Sequence, residues 1–360
     1  MPAIHQFTAG FTPYDAISNE AALFRGIFRR LGFRSEIFSE GRNINKTLRE
    51  EVLDAAGYAS AASPDDLVLL HLSIGSSVND VFRSLPCRKA ILYHNITPAH
   101  YFELINVQTA AHLKRGRRQT EALAGVAAVN MADSRFNAGE LEALGYRDVR
   151  VLPIVLDLDK IPRQVDRATA ESLDDGLRHI LFVGRCTPNK KIEDLIRVFA
   201  YYQKTVEPRS RFIHVGSSAG AERYHALLSA MVDELRLQNF SFAGSVPQPV
   251  LNAYYRGADA FLCMSEHEGF CIPLLESMLH GVPVVAHATA AIPETLDGSG
   301  ILLDERRFDI AAEALGCVIG DPELRAAVVA GQNERLQRYR HRNLEEELLA
   351  HLAPVLPRHD

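Results

Sequence analysis

Two glutamates, Glu268 and Glu276, flank the segment Gly269-Phe-Cys-Ile-Pro-Leu-Leu275, and together they could bind a sugar phosphate. The apolar run of residues 260–264 before them has the length of a strand, and Pro273 suits the first position of a helix. A strand, a glycine turn and a helix N-terminus present free backbone N–H groups and a positive dipole end to an anion. One turn into that helix, the Glu276 carboxylate can accept hydrogen bonds from two sugar hydroxyls.

Arg185 and Lys190 could supply the positive charge that a diphosphate needs. Residues 180–183 are an apolar strand that runs into Gly184, and a helix follows from Ile192. Such a loop delivers both cations to the carboxyl end of the strand, where they would stabilise a diphosphate as a leaving group. The alternative is that both are surface charges on a turn. The loop does not match GxxxxGK[ST], which excludes a P-loop NTPase, and the lack of a GxGxxG pattern argues against a nicotinamide or flavin enzyme.

Apolar runs of strand length alternate with helix-length segments along the chain, which indicates an α/β fold with parallel sheets. The predicted strands of the first series are residues 4–7, 67–72, 90–94, 126–132 and 149–153, and those of the second series are residues 180–183, 212–215, 240–243, 260–264, 284–286 and 301–303. Helices are predicted over residues 16–31, 140–144, 322–340 and 344–352.

The 360 residues are too many for one ordinary core, so we expect two domains. A polar segment without a clear period separates the two series of strands. We predict a Rossmann-like N-terminal domain over residues 1–156, a linker over 157–178, a second Rossmann-like domain over 179–335 and a helical tail over 336–360. Ligands of such sheets bind at the carboxyl ends of the strands, so a cleft between the domains is the expected site.

Composition narrows the class of protein. A hydrophobic content of 47% and a charged content of 23% are typical of a globular protein, and no apolar run is long enough to span a bilayer. The five cysteines form no CxxC pair and the N-terminus has no signal-peptide pattern, so we expect a cytoplasmic protein. The net charge of -6 argues against a nucleic-acid partner. The basic run of residues 114–118 either forms a solvated helix face or makes a peripheral contact with acidic lipid at the inner face of the membrane.

Residues at or after the ends of the predicted strands of the first half are further candidates for the binding site, because the carboxyl ends of parallel strands share one edge of a sheet. These candidates are Gly10, Asp15, Ser18, His71, His94 and Arg135. Gly10 permits close approach of a ligand to the backbone. Asp15 and Ser18 could contact a ligand or could instead cap the helix that follows them.

Five motifs occur in one order and together resemble the C-terminal domain of the retaining, GT-B-fold glycosyltransferases of family 4. They are Val183-Gly184-Arg185 with Lys190, Phe242-Ala-Gly244-Ser-Val246, Tyr255-Arg-Gly-Ala-Asp259-Ala-Phe-Leu262, Glu268-Gly-Phe-Cys-Ile-Pro-Leu-Leu-Glu276 and Gly281-Val-Pro-Val-Val-Ala286. Each motif alone is weak, whereas the ordered set is specific. The resemblance covers residues 181–303 strongly and the first domain more loosely. It implies a GT-B fold, in which two Rossmann-like domains face each other across a cleft and a helical tail follows.

The resemblance also implies a role for each matching residue. Arg185 and Lys190 would hold the diphosphate of the donor, Glu276 would bind its ribose, and Glu268 would touch the transferred sugar. His94 joins this catalytic set, near the donor sugar. The other donor contacts that the resemblance implies are Gly10, Gly184, Val246, Gly269, Phe270, Cys271 and Ile272. Asp15, Ser18, His71 and Arg135 remain candidate contacts with the acceptor or a phosphate. Cys271 departs from the family pattern, which often has a second glycine there.

The reaction implied is the transfer of a hexose from a nucleoside diphosphate sugar to a hydroxyl of a glycan or lipid-linked acceptor, with retention of configuration. No carboxylate cluster resembles a metal-binding DxD, so no metal or other cofactor is expected. The run Tyr-His-Asn-Ile-Thr-Pro at residues 93–98 is similar to that of bacterial polysaccharide and lipopolysaccharide enzymes, which favours GDP-mannose and leaves UDP donors open.

Two alternatives stay open: a nucleotide-sugar epimerase of the same architecture, and a catalytically silent subunit that binds a nucleotide sugar. A glycosidase that uses the two glutamates is disfavoured, because a hydrolase has no use for a diphosphate site.

Overall fold

Two parallel β-sheets form the framework of the protein in a computed structural model, which describes residues 3–13, 15–156, 158 and 164–357. The first sheet contains β1 (Ile4–Thr8), β2 (Ile37–Ser39), β3 (Leu53–Asp54), β4 (Leu67–Leu72), β5 (Arg88–Tyr93), β6 (Val129–Ala132) and β7 (Arg150–Val151). The second contains β8 (Arg178–Val183), β9 (Ser210–Val215), β10 (Phe240–Gly244), β11 (Ala260–Cys263), β12 (Val284–His287) and β13 (Ile301–Leu303). Every strand predicted from the apolar runs is present, and the short strands β2 and β3 are additions.

Helices connect most of these strands. They are α1 (Ala16–Arg30), α2 (Ser77–Ser84), α3 (Val107–Ala122), α4 (Arg135–Ala143), α5 (Arg167–Ser172), α6 (Ile192–Tyr201), α7 (Glu222–Glu234), α8 (Gln248–Gly257), α9 (Ile272–Leu279), α10 (Ile292–Leu296), α11 (Phe308–Gly320), α12 (Pro322–Arg340) and α13 (Leu344–Leu352). The predicted helices 322–340 and 344–352 coincide with α12 and α13. Within the described ranges, no helix combines the length and the apolar character that crossing a bilayer requires.

Each sheet has one topological switch point, or reversal point, at which successive strands stop being added on one side of the first strand and are added on its other side. The orders are β3-β2-β1-β4-β5-β6-β7 and β10-β9-β8-β11-β12-β13, and all pairings are parallel. The reversals lie between β1 and β4 in the first sheet and between β8 and β11 in the second. Open parallel sheets bind ligands beyond the carboxyl ends of the strands at such a point. Two binding edges are therefore fixed by topology alone.

The chain divides into two compact units that differ from the predicted domain boundaries. The first unit comprises Met1–Ala99, Gln108–Leu156 and Arg342–Asp360, and the second comprises His100–Val107 and Asp157–His341. Part of the predicted linker 157–178 lies outside the described residues, and its described part carries α5, which packs against α8 in the second unit. The helix α12 belongs to the second unit, and the C-terminal segment of the first unit begins at Arg342, within the helical tail predicted over residues 336–360.

The core of the first unit includes residues from the far end of the chain. Leu348, Leu352 and Val355 of the C-terminal segment are buried in the same cluster as Phe24 and Phe28 of α1. This cluster also contains inward-facing residues of β4, β5 and β6. Burying side chains of this size contributes roughly 1.5–3 kcal/mol each, so the segment is an integral part of the first unit.

Candidate functional site

The loop after β8 holds Arg185 at the reversal point of the second sheet. Gly216, at the end of β9, has a φ of +153°, and a Cβ there would lie 1.9 Å from the Gly184 carbonyl oxygen. Only glycine permits this close approach of the two strand ends. The Arg185 side chain is exposed and donates to the Ala219 carbonyl at 3.3 Å. It has no carboxylate partner among the residues that the structure describes, so most of its donors can reach an anion.

Lys190, from the same loop, meets Glu268 from the loop after β11. Its Nζ lies 2.7 and 2.6 Å from the two carboxylate oxygens of Glu268. Asn189 holds the two loops together, since its carbonyl accepts from the Glu266 N–H at 2.8 Å and its side chain donates to the His267 carbonyl at 3.2 Å. The two residues that the sequence placed 78 positions apart therefore form one ion pair at the reversal point.

The charge of Lys190 is stabilised by its partner. Burial alone would lower the pKa of the Lys190 ammonium, but the Glu268 carboxylate outweighs burial and raises that pKa above its ordinary value. The Lys190 side chain is 21% exposed and that of Glu268 is 7% exposed. Lys190 is thus a charged group at neutral pH that is partly accessible and close to a buried carboxylate.

The N-terminus of α9 lies beside this pair in sequence and has an unusual backbone conformation. Cys271 is its N-cap, is buried, and has a φ of +74° in the left-handed region that favours glycine. The preference for glycine that the resemblance implied at this position therefore has a backbone cause. Pro273 occupies the second helical position, one later than predicted, and its missing N–H costs nothing there either. The hydroxyl of Thr295 donates to the Phe270 carbonyl and fixes the turn.

Glu276 lies one turn into α9, within an aromatic surrounding. The Tyr255 hydroxyl donates to its Oε2 at 2.7 Å, and the Tyr255 ring stacks on His280 with 5.1 Å between ring centres. Burial raises the pKa of the Glu276 carboxyl, and the hydrogen bond from Tyr255 partly opposes that rise. The Glu276 carboxylate is therefore oriented by Tyr255 and retains its second oxygen for a ligand.

The remaining donor-side candidates of the second unit fall on the same edge of the sheet. Gly184, Gly269, Phe270 and Ile272 lie in the loops after β8 and β11 or in the first turn of α9, and Val246 lies in the loop after β10. Gly269 and Val246 are half-buried. Their contacts with a donor stay predictions.

In the first unit, Gly10 and Asp15 line a cavity of about 520 Å³ beyond the end of β1. Asp15 is the N-cap of α1, and its Oδ2 accepts from both the backbone N–H and the hydroxyl of Ser18, at 2.8 and 2.7 Å. Ser18 in turn accepts from the Thr12 N–H at 3.1 Å. Of the two uses foreseen for these residues, helix capping is present in the structure.

His71 and His94 lie together in the interior of the first unit. The Nδ1 of His71 is 2.9 Å from the Nε2 of His94, and the Nδ1 of His94 is 3.0 Å from the Oδ2 of Asp133. Glu20 of α1 is fully buried beside them, with its Oε2 3.8 Å from His71 and 3.7 Å from His94. Glu20 and Asp133 were not among the predicted residues, since nothing in a helix pattern or a strand end reveals that a carboxylate is buried.

Arg135 and the basic run of residues 114–118 lie on helix surfaces. Arg135 is exposed at the first position of α4, after the capping residue Ser134. Within the basic run, Arg115 pairs with Asp80 at 3.0 Å and Arg117 with Glu140 at 2.9 Å. The charges of Arg115 and Arg117 are thus offset by carboxylates of the protein itself.

Residues 166–335, which hold Arg185, Lys190, Glu268 and Glu276, match the family model of the glycosyl transferases group 1. The chain carries a glycosyl transferases group 1 domain. This domain covers the second sheet and the helices around it, including the whole of the loop edge described above.

Curated relatives are similar to about half of the chain or somewhat less. A D-inositol 3-phosphate glycosyltransferase of Corynebacterium jeikeium is 32% identical over 50% of this chain and 45% of its own length. An O-antigen chain mannosyltransferase B of Escherichia coli is 29% identical over 42% and 40%, respectively. A GDP-mannose-dependent alpha-(1-6)-phosphatidylinositol monomannoside mannosyltransferase of Mycolicibacterium smegmatis is 30% identical over 45% and 44%. The chain therefore spans less than half the length of these relatives.

Solved structures extend the similarity of fold to the whole chain. The HepE protein of Anabaena, crystallised in complex with UDP-glucose, superposes with a TM-score of 0.74 over 98% of this chain and 99% of its own, at 18% identity. Together with the two parallel sheets, this shows a GT-B fold, with two Rossmann-like units and a helical C-terminal segment. The predicted fold class is confirmed.

Proposed function

We propose that the protein is a retaining glycosyltransferase that moves a hexose from a nucleoside diphosphate sugar to a hydroxyl of a glycan or lipid-linked acceptor. The observation that carries this proposal is the Lys190–Glu268 ion pair at the reversal point of the second sheet, next to the N-terminus of α9. A cation for phosphate and a carboxylate for sugar hydroxyls meet there at 2.6 Å. The group 1 domain supports the same assignment.

The proposal assigns a step of binding to each charged group of the second unit. Arg185 and Lys190 hold the diphosphate of the donor, and the positive end of the α9 dipole, with the Ile272 N–H at the first helical position, adds a third positive contact. When the donor binds, Lys190 exchanges one of its hydrogen bonds to Glu268 for a hydrogen bond to the phosphate. One oxygen of Glu268 is then available to accept from a hydroxyl of the transferred sugar. Glu276, oriented by Tyr255, accepts from the ribose hydroxyls.

In the reaction that we propose, the bond between the anomeric carbon and the diphosphate oxygen breaks, and its electron pair stays on the diphosphate. The acceptor oxygen bonds to the anomeric carbon from the same face, and its proton passes to the departing phosphate oxygen. Charge accumulates on the diphosphate in the transition state, where prepositioned cations and N–H groups stabilise it most. Because Arg185, Lys190 and the N-terminus of α9 offset this negative charge, the proposal requires no metal.

GDP-mannose is the first candidate donor, and cell-surface polysaccharide or lipopolysaccharide synthesis in the cytoplasm is the first candidate role. The activities of two relatives, an O-antigen mannosyltransferase and a GDP-mannose-dependent mannosyltransferase, support this choice. UDP-glucose, which the Anabaena structure contains, is the second candidate. A peripheral membrane contact through residues 114–118 belongs to the same proposal and would serve a lipid-linked acceptor.

Thermal unfolding of the protein with GDP, UDP, dTDP and ADP, alone and as sugar conjugates, tests the donor half of the proposal. A ligand that binds only the folded protein raises its melting temperature by mass action. One nucleoside diphosphate that stabilises the wild-type protein and fails to stabilise Arg185→Met supports the proposal. No response to any member of the panel overturns the donor assignment.

Product analysis with and without an acceptor tests the transfer half. A new glycosidic bond that forms only when an acceptor is present supports transfer. A changed sugar on the nucleotide without any acceptor would identify an epimerase. Tight nucleotide-sugar binding without turnover on any acceptor would identify a silent subunit.

A further inference from the structure

A buried row of four side chains crosses the carboxyl edge of the first sheet, and we call it the histidine row. It consists of Gln6 of β1, His71 of β4, His94 after β5 and Asp133 after β6. Successive polar atoms lie 3.0 Å apart between Gln6 Oε1 and His71 Nε2, 2.9 Å between the two histidines, and 3.0 Å between His94 Nδ1 and Asp133 Oδ2. All four side chains are buried, so each polar atom depends on its neighbour in the row.

The first end of the row fixes the tautomer of His71. The amide nitrogen of Gln6 donates to the Ala21 carbonyl at 2.8 Å, so its oxygen must face His71. The Nε2 of His71 is then the donor of that hydrogen bond, because an amide oxygen can only accept. The Nδ1 of a neutral His71 is left with a lone pair that points along the row.

The other end of the row raises a conflict for His94. A carboxylate at Asp133 accepts from the Nδ1 of His94. A neutral His94 would then present a lone pair at Nε2 to the lone pair of His71, with 2.9 Å between the two nitrogens. Two acceptors at this distance repel each other, especially in a medium of low dielectric constant. While Asp133 is ionised, either a proton on one of the two facing nitrogens or a metal ion between them is needed to relieve this repulsion.

A divalent metal ion is the alternative to a proton between the two histidines, because an oxygen of Glu20 lies near both facing nitrogens. Its Oε2 has no hydrogen-bond partner among the described residues and lies 3.8 and 3.7 Å from the two facing nitrogens. The point equidistant from these three atoms lies about 2.0 Å from each, a distance that suits zinc.

The orientation of the two imidazole rings favours the proton. Their planes differ by 4°, and their centres are 5.2 Å apart. This separation is what the 2.9 Å between the nitrogens gives when the rings lie in one line, so each facing nitrogen points at the other. In-line nitrogens describe an N–H···N hydrogen bond. A tetrahedral metal would require both nitrogens to point away from that line, towards Glu20.

We propose that His94 is a buried imidazolium in the working protein, donating to His71 on one side and to Asp133 on the other, and that His71 is the positioning residue that maintains this charge. The charged and titratable groups that face His94 are Asp133, Glu20, Asp15 and His71. Asp133 favours the cation both by its charge and by its hydrogen bond, Asp15 favours it by its charge, and His71 favours it as a hydrogen-bond acceptor.

The electrostatics of the cluster agree with this assignment. Burial lowers the pKa of His94, but Asp133, Glu20 and Asp15 outweigh burial and raise it above its ordinary value. Burial and the neighbouring His94 lower the pKa of His71 well below its ordinary value, so His71 stays neutral. Burial raises the pKa of Glu20 to about 8, so this group is largely protonated at neutral pH. Burial also raises the pKa of the Asp133 carboxyl, and the charge and hydrogen bond of His94 oppose that rise. An ionised Asp133 and a protonated His94 form a neutral pair, which is the arrangement that burial of charges favours.

This inference goes beyond the proposed function and stands without it, since it concerns only the first unit. It gives His94 a different task from the contact with the donor sugar that the resemblance implied, because both ring nitrogens are engaged within the protein. The cation instead holds the carboxyl ends of β5 and β6 to β4 and places a positive charge near Asp15, which lines the cavity of the first unit.

Nitrogen-15 NMR of the histidine side chains in the intact protein tests the proposal directly. Both ring nitrogens of His94 are expected to carry protons at pH 7, and this pattern should persist above the ordinary histidine pKa of about 6.5. In His71→Phe the acceptor is lost, so one nitrogen of His94 is expected to be unprotonated at pH 7. In His71→Asn the amide oxygen replaces the Nδ1 acceptor, so the doubly protonated pattern should return. The matched control is His179→Phe, which removes a buried histidine bonded to Asp175 in the second unit and should leave His94 unchanged.

The wild-type spectrum decides the matter even if a variant does not fold. An unprotonated ring nitrogen on His94 at pH 7 would overturn the proposal, whether the proton then resides on Asp133 or is missing. Zinc present in a 1:1 ratio in the purified protein would also overturn it if chelation alters the His94 signals. Cobalt substitution separates that case from metal at Cys263 and Cys271, the other cluster that could hold an ion among the described residues, because only thiolates give a sulfur-to-cobalt charge-transfer band.

Discussion

Lys190 and Glu268 form a two-point ion pair across the reversal of the second sheet, with the ammonium 2.7 and 2.6 Å from the two carboxylate oxygens. Each residue follows a different strand of the sheet, and Asn189 ties the two loops together. In the proposed reaction, a donor that brings both a diphosphate and a sugar would offer each partner a new contact. The ion pair would then hold both binding groups in place before the donor arrives, and donor binding would have to compete with it.

The first prediction concerns Lys190→Met, which removes the ammonium and preserves much of the side-chain length. We expect kcat of the transfer to fall about 10²- to 10³-fold, because one charged contact with the leaving diphosphate is lost. The rise in melting temperature that a nucleoside diphosphate causes should also be smaller in this variant. Steady-state kinetics and thermal unfolding measure the two effects, and Lys204→Met, on an exposed lysine, should change neither.

Lys190→Met also leaves the buried Glu268 carboxylate without its partner, which by itself is destabilising. The double variant Lys190→Met/Glu268→Gln removes that stranded charge. If the double variant regains stability but not activity, the loss of rate belongs to the missing cation. A Lys190→Met enzyme with wild-type kcat would contradict the role given to Lys190.

The second prediction separates sugar contact from phosphate contact through Glu268→Ala and Glu268→Gln. Both variants should lose at least about 100-fold in kcat, a loss typical of a missing transition-state contact. Both variants should bind the nucleoside diphosphate at least as tightly as wild type, because Lys190 no longer has a competing carboxylate. Calorimetric titration and kinetics measure the split. Glu266→Gln, on the same loop and paired with Lys191 at 3.3 Å, is the control, and unchanged turnover in Glu268→Ala would remove Glu268 from the mechanism.

The third prediction is that Tyr255→Phe weakens ribose recognition. The variant loses the hydroxyl that orients Glu276, and such a hydrogen bond to a charged group contributes about 1.5–3 kcal/mol. The affinity for the nucleoside diphosphate should fall roughly tenfold, and the ratio of ribo- to 2′-deoxyribonucleotide affinity should fall with it. Tyr254→Phe, at the neighbouring position of α8, should leave both quantities unchanged. A lower affinity without any change in that ratio would locate the effect away from the ribose.

The fourth prediction uses the left-handed backbone of Cys271. Glycine adopts a φ of +74° without strain, so Cys271→Gly should keep its activity and stay within about 1 kcal/mol of wild-type stability. A β-branched residue is strongly disfavoured there, so Cys271→Val should destabilise the protein by about 1–3 kcal/mol or more. Cys317→Val, at an exposed cysteine of α11, isolates the effect of the side chain itself. Chemical denaturation measures the three differences, and equal stability of Cys271→Val and Cys271→Gly would contradict the backbone argument.

The fifth prediction concerns the pH dependence of stability through Glu20. Burial raises the pKa of Glu20 to about 8, whereas an unfolded chain releases this proton near its ordinary pKa of 4.5. Between these values the unfolded state binds fewer protons than the folded state, so the Glu20 contribution makes stability fall as pH rises, by at most about 1.4 kcal/mol per pH unit. Glu20→Gln removes this contribution and should flatten the decline between pH 5 and pH 8.

Calorimetry measures the stability of the protein at each pH, and Glu50→Gln, at an exposed glutamate, should keep the wild-type slope. The raised pKa of His94 acts in the same direction, since its stabilising charge is present below the ordinary histidine pKa and is lost as pH rises through the folded value. His71 opposes both on the acid side, because the unfolded chain protonates it and the folded chain does not. A Glu20→Gln slope equal to that of wild type would show that Glu20 is already ionised in the folded protein.

Much of the second unit could be predicted from the sequence because its apolar runs and its motifs occur together. Each buried parallel strand is nearly continuous in apolar residues, and the residue after each strand must fall on one edge of the sheet. That is why Arg185, Lys190 and Glu268 could be placed at one edge. The direct Lys190–Glu268 pairing required the strand order, which sequence spacing does not contain.

The first unit was harder to predict for physical reasons that particular residues illustrate. The strands Ile37–Ser39 and Leu53–Asp54 are too short to show a period. Glu20 looks like a polar position on an amphipathic helix, and only the neighbouring histidines explain its burial. The assignment of residues 100–107 and 342–360 to the opposite units depends on contacts between distant parts of the chain, which no local pattern records.

The return of residues 342–360 to the first unit sets the order in which the protein can be completed on the ribosome. Leu348, Leu352 and Val355 supply part of the first unit's core, so this unit lacks a section of its interior until the second unit has been synthesised. Residues 100–107 of the second unit are in turn made before most of that unit. The first unit therefore cannot complete its core before the end of translation, although every segment of the second unit has been made by then. A chain released before residue 342 should leave an apolar face of the first sheet exposed to chaperones and proteases.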